Sequence, residues 1–173
     1  AIAQALESLI SKKSNFKSVE YASKSLKVSL NSYISFLKDP NLKNATEMAI
    51  ASNLAGKAIN ISKTTAPHAT SYPFTSLFNI SHGHAVSLFF ESFFKFNYDN
   101  MDNSQTSFVL KKRFDLIFNL FDVHNIDDFN SKISLIKKKA NLEGNLKSLN
   151  IDIQKSSESI IKGINLLRLG NNP

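Results

Sequence analysis

Between residues 18 and 38 the apolar side chains Val19, Ala22, Leu26, Leu30, Tyr33 and Leu37 recur at steps of three and four. That rhythm lines them along one side of an α-helix of 3.6 residues per turn, and a strand would need alternation at every second position. Phe, Leu and Ile recur in the same way through nearly all of the chain, with no sustained period of two. The chain therefore reads as all-α, a multi-helix bundle forming a single domain over residues 1–173. A domain of this size removes roughly 70% of its unfolded surface from water, enough for a core of its own.

Breaks in the pattern divide the bundle. Asp39-Pro40 ends the first long helix, and a second is expected over 42–62, with Ala45, Met48, Ala49, Ser52, Ala55, Gly56 and Ile59 on its packed side. Thr64-Thr65-Ala66-Pro67 has the form of a helix start, since threonine caps free N–H groups and proline suits the first turn. Pro73 cannot bond the carbonyl of Ala69, so a bend or restart is expected near Tyr72. Ser81 is placed to cap a further helix that starts with His82 and continues through Phe93. After a polar connection over 98–106, helices are expected at about 107–121, 127–139 and 156–169. The chain opens in mid-pattern at Ala1 without a cap and stops at Asn171-Asn172-Pro173, so it reads as a piece of a longer protein.

The absence of cysteine rules out disulfides, thiolate zinc sites and cysteine nucleophiles, so a metal here must take nitrogen or oxygen ligands. The net charge of +7 is spread along the chain, with short runs only at Lys111-Lys112-Arg113 and Lys137-Lys138-Lys139. These read as solvated helix faces, and no aromatic-basic motif accompanies them, so nucleic acid is not the expected partner. No apolar run is long enough for a membrane span, and no basic flank precedes an apolar block at the N-terminus, which makes a cytoplasmic setting the simpler expectation.

Three of the four histidines lie within residues 63–97. His68 and His82 stand fourteen residues apart at two expected helix starts, and neutral imidazoles brought together in this way suit iron or zinc. His84 is two positions past His82, about 200° around the helix, so it belongs to the cleft wall or to proton handling rather than to the same ion.

The run from Ala55-Gly56 through Lys63-Thr64-Thr65-Ala66-Pro67-His68-Ala69 and Ser81-His82-Gly83-His84-Ala85 to Phe96-Asn97 resembles the C-terminal helical domain of iron-containing (group III) alcohol dehydrogenases. In that family an Asp-Ala-x-x-His-Ala-x-Glu pattern supplies an aspartate and a histidine, which join two later histidines around one divalent metal. His68 and His82 correspond to the later pair. Ala1 to Glu7 corresponds to the first pattern, with Gln4 at the position of its histidine and the aspartate falling immediately before Ala1.

The resemblance implies a metal site of His68, His82 and Gln4, with Fe2+ first and Zn2+ second as the ion. It also implies an NAD(P) cofactor bound mainly by an N-terminal dinucleotide-binding α/β domain, since no glycine-rich phosphate loop occurs in this chain. The substrate would be a small alcohol or aldehyde, the isolated fragment would be inactive, and a homo-oligomer is compatible with the family. Tyr72 falls where many relatives carry a further cleft histidine, so Tyr72 or His84 would relay the proton. Similarity to the hydroxyethylphosphonate dehydrogenase, or phosphonoacetaldehyde reductase, subgroup adds a phosphonate held by Lys63, Thr64, Thr65 and the N–H groups of a helix start. Two alternatives stand beside this one: a dehydroquinate synthase-like zinc and NAD enzyme, which carries glutamate where this chain has His84, and a basic helical interaction module.

Overall fold

The computed structural model describes residues 1–173 and contains helices only. In chain order these are α1 (Ile2–Ile10), α2 (Phe16–Lys38), α3 (Leu42–Ser62), α4 (Ala66–Phe78), α5 (His82–Ser87), α6 (Phe90–Asp99), a 3-10 turn (Met101–Asn103), α7 (Leu110–Phe121), α8 (Ile126–Lys139), α9 (Ile153–Gly163) and α10 (Leu166–Leu169). None is long and apolar enough to cross a membrane.

Helices α2 and α3 form the long hairpin of the molecule. Asn15 starts α2 through a reciprocal capping box with Ser18, and Asn41 starts α3 by accepting from the N–H of Asn44. The buried side of α2 shares Ala22 and Leu26 with the expected apolar stripe and is otherwise rotated toward serines. It consists of Ser18, Ala22, Ser25, Leu26, Ser29 and Ser32, while Val19, Leu30 and Tyr33 are half-buried and Leu37 is exposed. The facing side of α3 is likewise rotated from expectation, with Ala51, Ala55, Ala58 and Ser62 buried and Ala49 and Ser52 exposed. Small side chains explain both rotations. They let the two backbones approach closely, and the serine hydroxyls then reach across, Ser25 to the carbonyl of Ala51 at 2.7 Å and Ser32 to the carboxylate of Glu47 at 2.6 Å.

The main core lies between α1, α2 and the later helices. Leu6, Leu9 and Ile10 meet an aromatic group in which Phe94 lies 5.6 Å from Phe129 and 6.2 Å from Phe114, centre to centre. A smaller cluster of Phe74, Ile80, Ala85 and Ile151 seats α4 against α5 and the segment before α9.

Three expected features resolve differently. The helix beginning at His82 stops at Ser87, where the N–H of Leu88 turns back to Ala85 and the N–H of Phe93 begins again on Phe89. The break turns Phe89 onto Phe74, with ring centres 4.6 Å apart. The last expected helix is split at Ile164-Asn165, where the Asn165 side chain caps α10. Conversely, α4 is continuous through Pro73, with no restart at Tyr72. The Ala69 carbonyl that Pro73 cannot bond accepts the N–H of Asn165 at 3.1 Å. Gly163 lies against the same proline, where an added Cβ would fall 2.8 Å from the Pro73 Cβ. The proline thus docks the α9–α10 joint onto α4 instead of breaking it. Asn171, just beyond α10, fastens this end further by donating to the Thr64 carbonyl and accepting from the N–H of Lys12.

Candidate metal centre

The centre is assembled from α1, the α3–α4 junction and the start of α5. Glu7 of α1 is fully buried, and its carboxylate is the hub. One oxygen accepts the backbone N–H of Thr65 at 2.7 Å and the Thr65 hydroxyl at 3.0 Å, and the other accepts Nδ1 of His68. A carboxylate at the N-terminus of α4 satisfies free amides there and meets the positive end of the helix dipole. The bond to Nδ1 places the proton on that nitrogen and leaves Nε2 of His68 with its lone pair available.

His82, the first residue of α5, lies across from it. The two rings stand 5.2 Å apart centre to centre with planes inclined at 67°. Nδ1 of His82 faces the Ser71 hydroxyl at 3.4 Å, and Tyr72 packs on the other side at 5.6 Å. Burial depresses the pKa of His82 below the ordinary histidine value, the electrostatic influence of the neighbouring His68 and of Arg168 adds to this, and Glu7 opposes it. The imidazole therefore stays neutral, as a ligand must be, to lower pH. A cavity of about 150 Å³ is lined by His68, His82, Gln4, Ala1, Ala3 and Gly83, together with Val86.

These residues fit a divalent ion in one respect and fall short in another. Imidazoles sharing a tetrahedral ion, with nitrogens about 2.1 Å from it, hold their ring centres roughly 5 Å apart, which is the spacing of this pair. Gln4 lines the same cavity, and its amide would offer a neutral oxygen donor. No carboxylate joins them, since both Glu7 oxygens are engaged elsewhere, and nowhere does the chain gather three His, Cys, Asp or Glu side chains in ligating array.

The remaining expected site residues are placed differently. Thr64 and Thr65 are fully buried, and their hydroxyls are occupied by Arg168 and Glu7, which leaves neither to hold a substrate. Lys63 points back to the carbonyl of Asn60 at 2.8 Å. Nε2 of His84 pairs with the carbonyl of Glu143 at 2.6 Å, on the side of α5 away from His68, because two positions along a helix reverse the direction of the side chain. Tyr72 does stay beside His82. Ser81 occupies the cap position of α5, but its hydroxyl makes no cap bond. Glu7 entered the sequence reading only as the last residue of the family pattern, with no role given to it, and Arg168 was not singled out at all. A lone acid among the apolar residues Ala5, Leu6, Leu9 and Ile10, at the glutamate of that pattern, was the signal that its carboxylate is buried for a purpose, and Arg168 carried none.

The family model for the C-terminal domain of iron-containing alcohol dehydrogenases matches residues 1–173. The chain belongs to that family. The match over the whole length favours it above the dehydroquinate synthase-like and interaction-module alternatives. A 4-hydroxybutyrate dehydrogenase from Clostridium kluyveri is 30% identical over 114 residues, which cover 64% of this chain and 31% of the relative. Among solved structures, the sulfoacetaldehyde reductase of Bifidobacterium kashiwanohense in complex with NAD+ superposes with a TM-score of 0.81 at 26% identity, covering 99% of this chain and 43% of that one. The archaeal Red Sea brine pool alcohol dehydrogenase ADH/D1 gives 0.83 at 19% identity, covering 99% and 44% respectively, and shows the shared fold. The chain spans less than half the length of each of these relatives. Family membership implies a metal and a nicotinamide cofactor in the whole enzyme.

Proposed function

We propose that this chain is the metal- and substrate-binding half of an NAD(P)-linked alcohol dehydrogenase that interconverts a small aldehyde and its alcohol. The observation that carries this reading is the convergence of His68 and His82 on one cavity, each with Nδ1 turned to a neighbour and Nε2 left for a shared ligand. A divalent ion held by His68, His82 and Gln4 would act as a Lewis acid on the alcohol or carbonyl oxygen. Glu7 keeps the His68 ring in the tautomer that presents a lone pair, and Ser71 and Tyr72 confine the His82 ring. An aspartate directly before Ala1, as in the family pattern, would supply the negative ligand this cavity lacks, at a wall to which Ala1 itself contributes.

The hydride donor would be held mainly by an N-terminal dinucleotide-binding domain, so residues 1–173 alone would reduce no aldehyde. Substrates with an acidic end group are favoured, phosphonoacetaldehyde among them. This agrees with the two relatives whose names specify a sulfonate and a carboxylate substrate. The test uses the full-length protein loaded with Fe2+ or Zn2+, assayed with NADH and NADPH against phosphonoacetaldehyde, sulfoacetaldehyde, succinic semialdehyde and butanal. Metal-dependent oxidation of the cofactor that is lost in His82→Ala is the expected result. Turnover that survives both chelation and that substitution would refute the reading.

A further inference from the structure

Among 21 cationic side chains only two are arginines, Arg113 and Arg168, and the second is held on Tyr72, the neighbour of His82, by an unusual set of contacts. Its backbone is fixed by the docking of the α9–α10 joint on α4. The Asn165 N–H bonds the Ala69 carbonyl at 3.1 Å, Gly163 rests on Pro73, and the Asn165 side chain accepts the Arg168 N–H at 3.0 Å. The guanidinium then lies over the Tyr72 ring, 5.6 Å from its centre, with Nη1 donating to the Thr64 hydroxyl at 2.5 Å.

No carboxylate of the chain pairs with this half-buried cation, and Thr64 is its single side-chain acceptor. Lys137, the cation most deeply placed among the ion pairs, is matched by Glu91 at 2.8 Å. Arg113 rests over Phe108 at the start of α7. A guanidinium whose fork is pre-set by one hydroxyl and one aromatic face, with its other donors unspent, is built for a planar or tetrahedral oxyanion. The Tyr72 ring lies 5.6 Å from the His82 ring and 5.6 Å from the Arg168 guanidinium, so the imidazole and the guanidinium are no more than about 11 Å apart. A short carbon chain carrying an oxygen at one end and an acid at the other spans such a gap.

We propose that Arg168, backed by Tyr72 and Thr64, is the anchor for the acidic end group of the substrate, a carboxylate, sulfonate or phosphonate. The inference rests on reading the cavity as that of a dehydrogenase, and it gives to Arg168 the role that the sequence suggested for Lys63. The same chemistry would also suit the pyrophosphate of a dinucleotide, so the experiment separates the two sources.

The full-length, metal-loaded protein is compared with its Arg168→Met and Arg168→Lys variants, using succinic semialdehyde and butanal as matched acidic and neutral aldehydes. Removing a charged hydrogen-bond donor lowers the ratio of kcat/KM for the acidic over the neutral aldehyde on the order of 100-fold in Arg168→Met, with partial recovery in Arg168→Lys. An equal loss on both aldehydes overturns the proposal, and a change confined to the KM of the cofactor overturns it in favour of the dinucleotide phosphates. If the wild-type protein turns over neither aldehyde, the dehydrogenase reading fails separately. The anion site is then decided by melting in the presence of succinate or methylphosphonate: stabilisation in the wild type that is absent in Arg168→Met upholds it, and equal stabilisation in both overturns it.

Discussion

Substituting Glu7 by Gln separates the charge of the hub from its shape. The carboxylate takes three donors, two from Thr65 and one from His68. Glutamine offers one carbonyl and one NH2 in nearly the same volume. With its carbonyl toward Thr65, the NH2 faces Nδ1 of His68, which must then accept, and the imidazole proton moves to Nε2. The nitrogen left for the cavity would then carry a hydrogen in place of a lone pair. With the amide reversed, two N–H groups confront each other at Thr65, leaving a buried donor orphaned at a cost of about 1–3 kcal/mol. Either arrangement also weakens bonds that a charged acceptor had strengthened. For a domain of this size the stability loss corresponds to a fall in Tm of roughly 2–10 °C, and metal affinity should drop about 10–100-fold. Calorimetric titration of the full-length protein with Zn2+ or Co2+ measures the second quantity, and the nitrogen chemical shifts of His68 report its tautomer. Wild-type affinity in Glu7→Gln, with the proton still on Nδ1, would show that Glu7 does not set the ring.

Other consequences follow from individual positions. Lys63 has φ 60° and ψ 179°, a region that glycine alone occupies at ease, so Lys63→Gly should stabilise the α3–α4 junction by about 1 kcal/mol, seen as a higher urea midpoint with an unchanged slope. A lower midpoint would mean that the Lys63 contact with Asn60 outweighs the backbone strain. Ser29 buries a hydroxyl with no partner between α2 and its neighbours, and Ser29→Ala should add about 1 kcal/mol to unfolding stability, where destabilisation would reveal an unseen partner for that oxygen. Gly163→Ala places a methyl 2.8 Å from Pro73 and should cost about 1–3 kcal/mol while raising hydrogen exchange at the Asn165 amide. Unchanged exchange there would show that the joint yields without undocking.

What the sequence made legible was whatever depends on neighbours along the chain. The limits of α3 fall where the pattern put them, because Asn41 and the residues after Ser62 act locally on the backbone. The pairing of His68 with His82 was also readable, since both stand at helix starts that a short segment connects. The packed faces of α2 and α3 were not. Hydropathy counts serine as polar, and the burial of Ser25 and Ser32 depends on a carbonyl and a carboxylate that only the neighbouring helix supplies. The electrostatic parts of the site are more distant still: Glu7 meets Thr65 across 58 residues, and Arg168 meets Thr64 across 104. A threonine pair that looked like a ligand cradle from its own segment is consumed by these two remote charges.

Pro73 shows why local rules fail in a specific direction. Its missing N–H is a local fact, and from it the sequence predicts a bend or restart in the helix. In the fold the same missing N–H releases one carbonyl, and a free buried carbonyl is a demand for a donor from elsewhere. The N–H of Asn165 meets that demand, and the ring surface of the proline accepts Gly163 because no side chain intervenes. Three residues further on, the chain delivers the guanidinium of Arg168 to Tyr72. A residue that reads as a break therefore becomes the point that brings the C-terminal helices to the centre, and the placement of a positive charge on Tyr72, the neighbour of His82, follows from the loss of a single hydrogen bond inside α4.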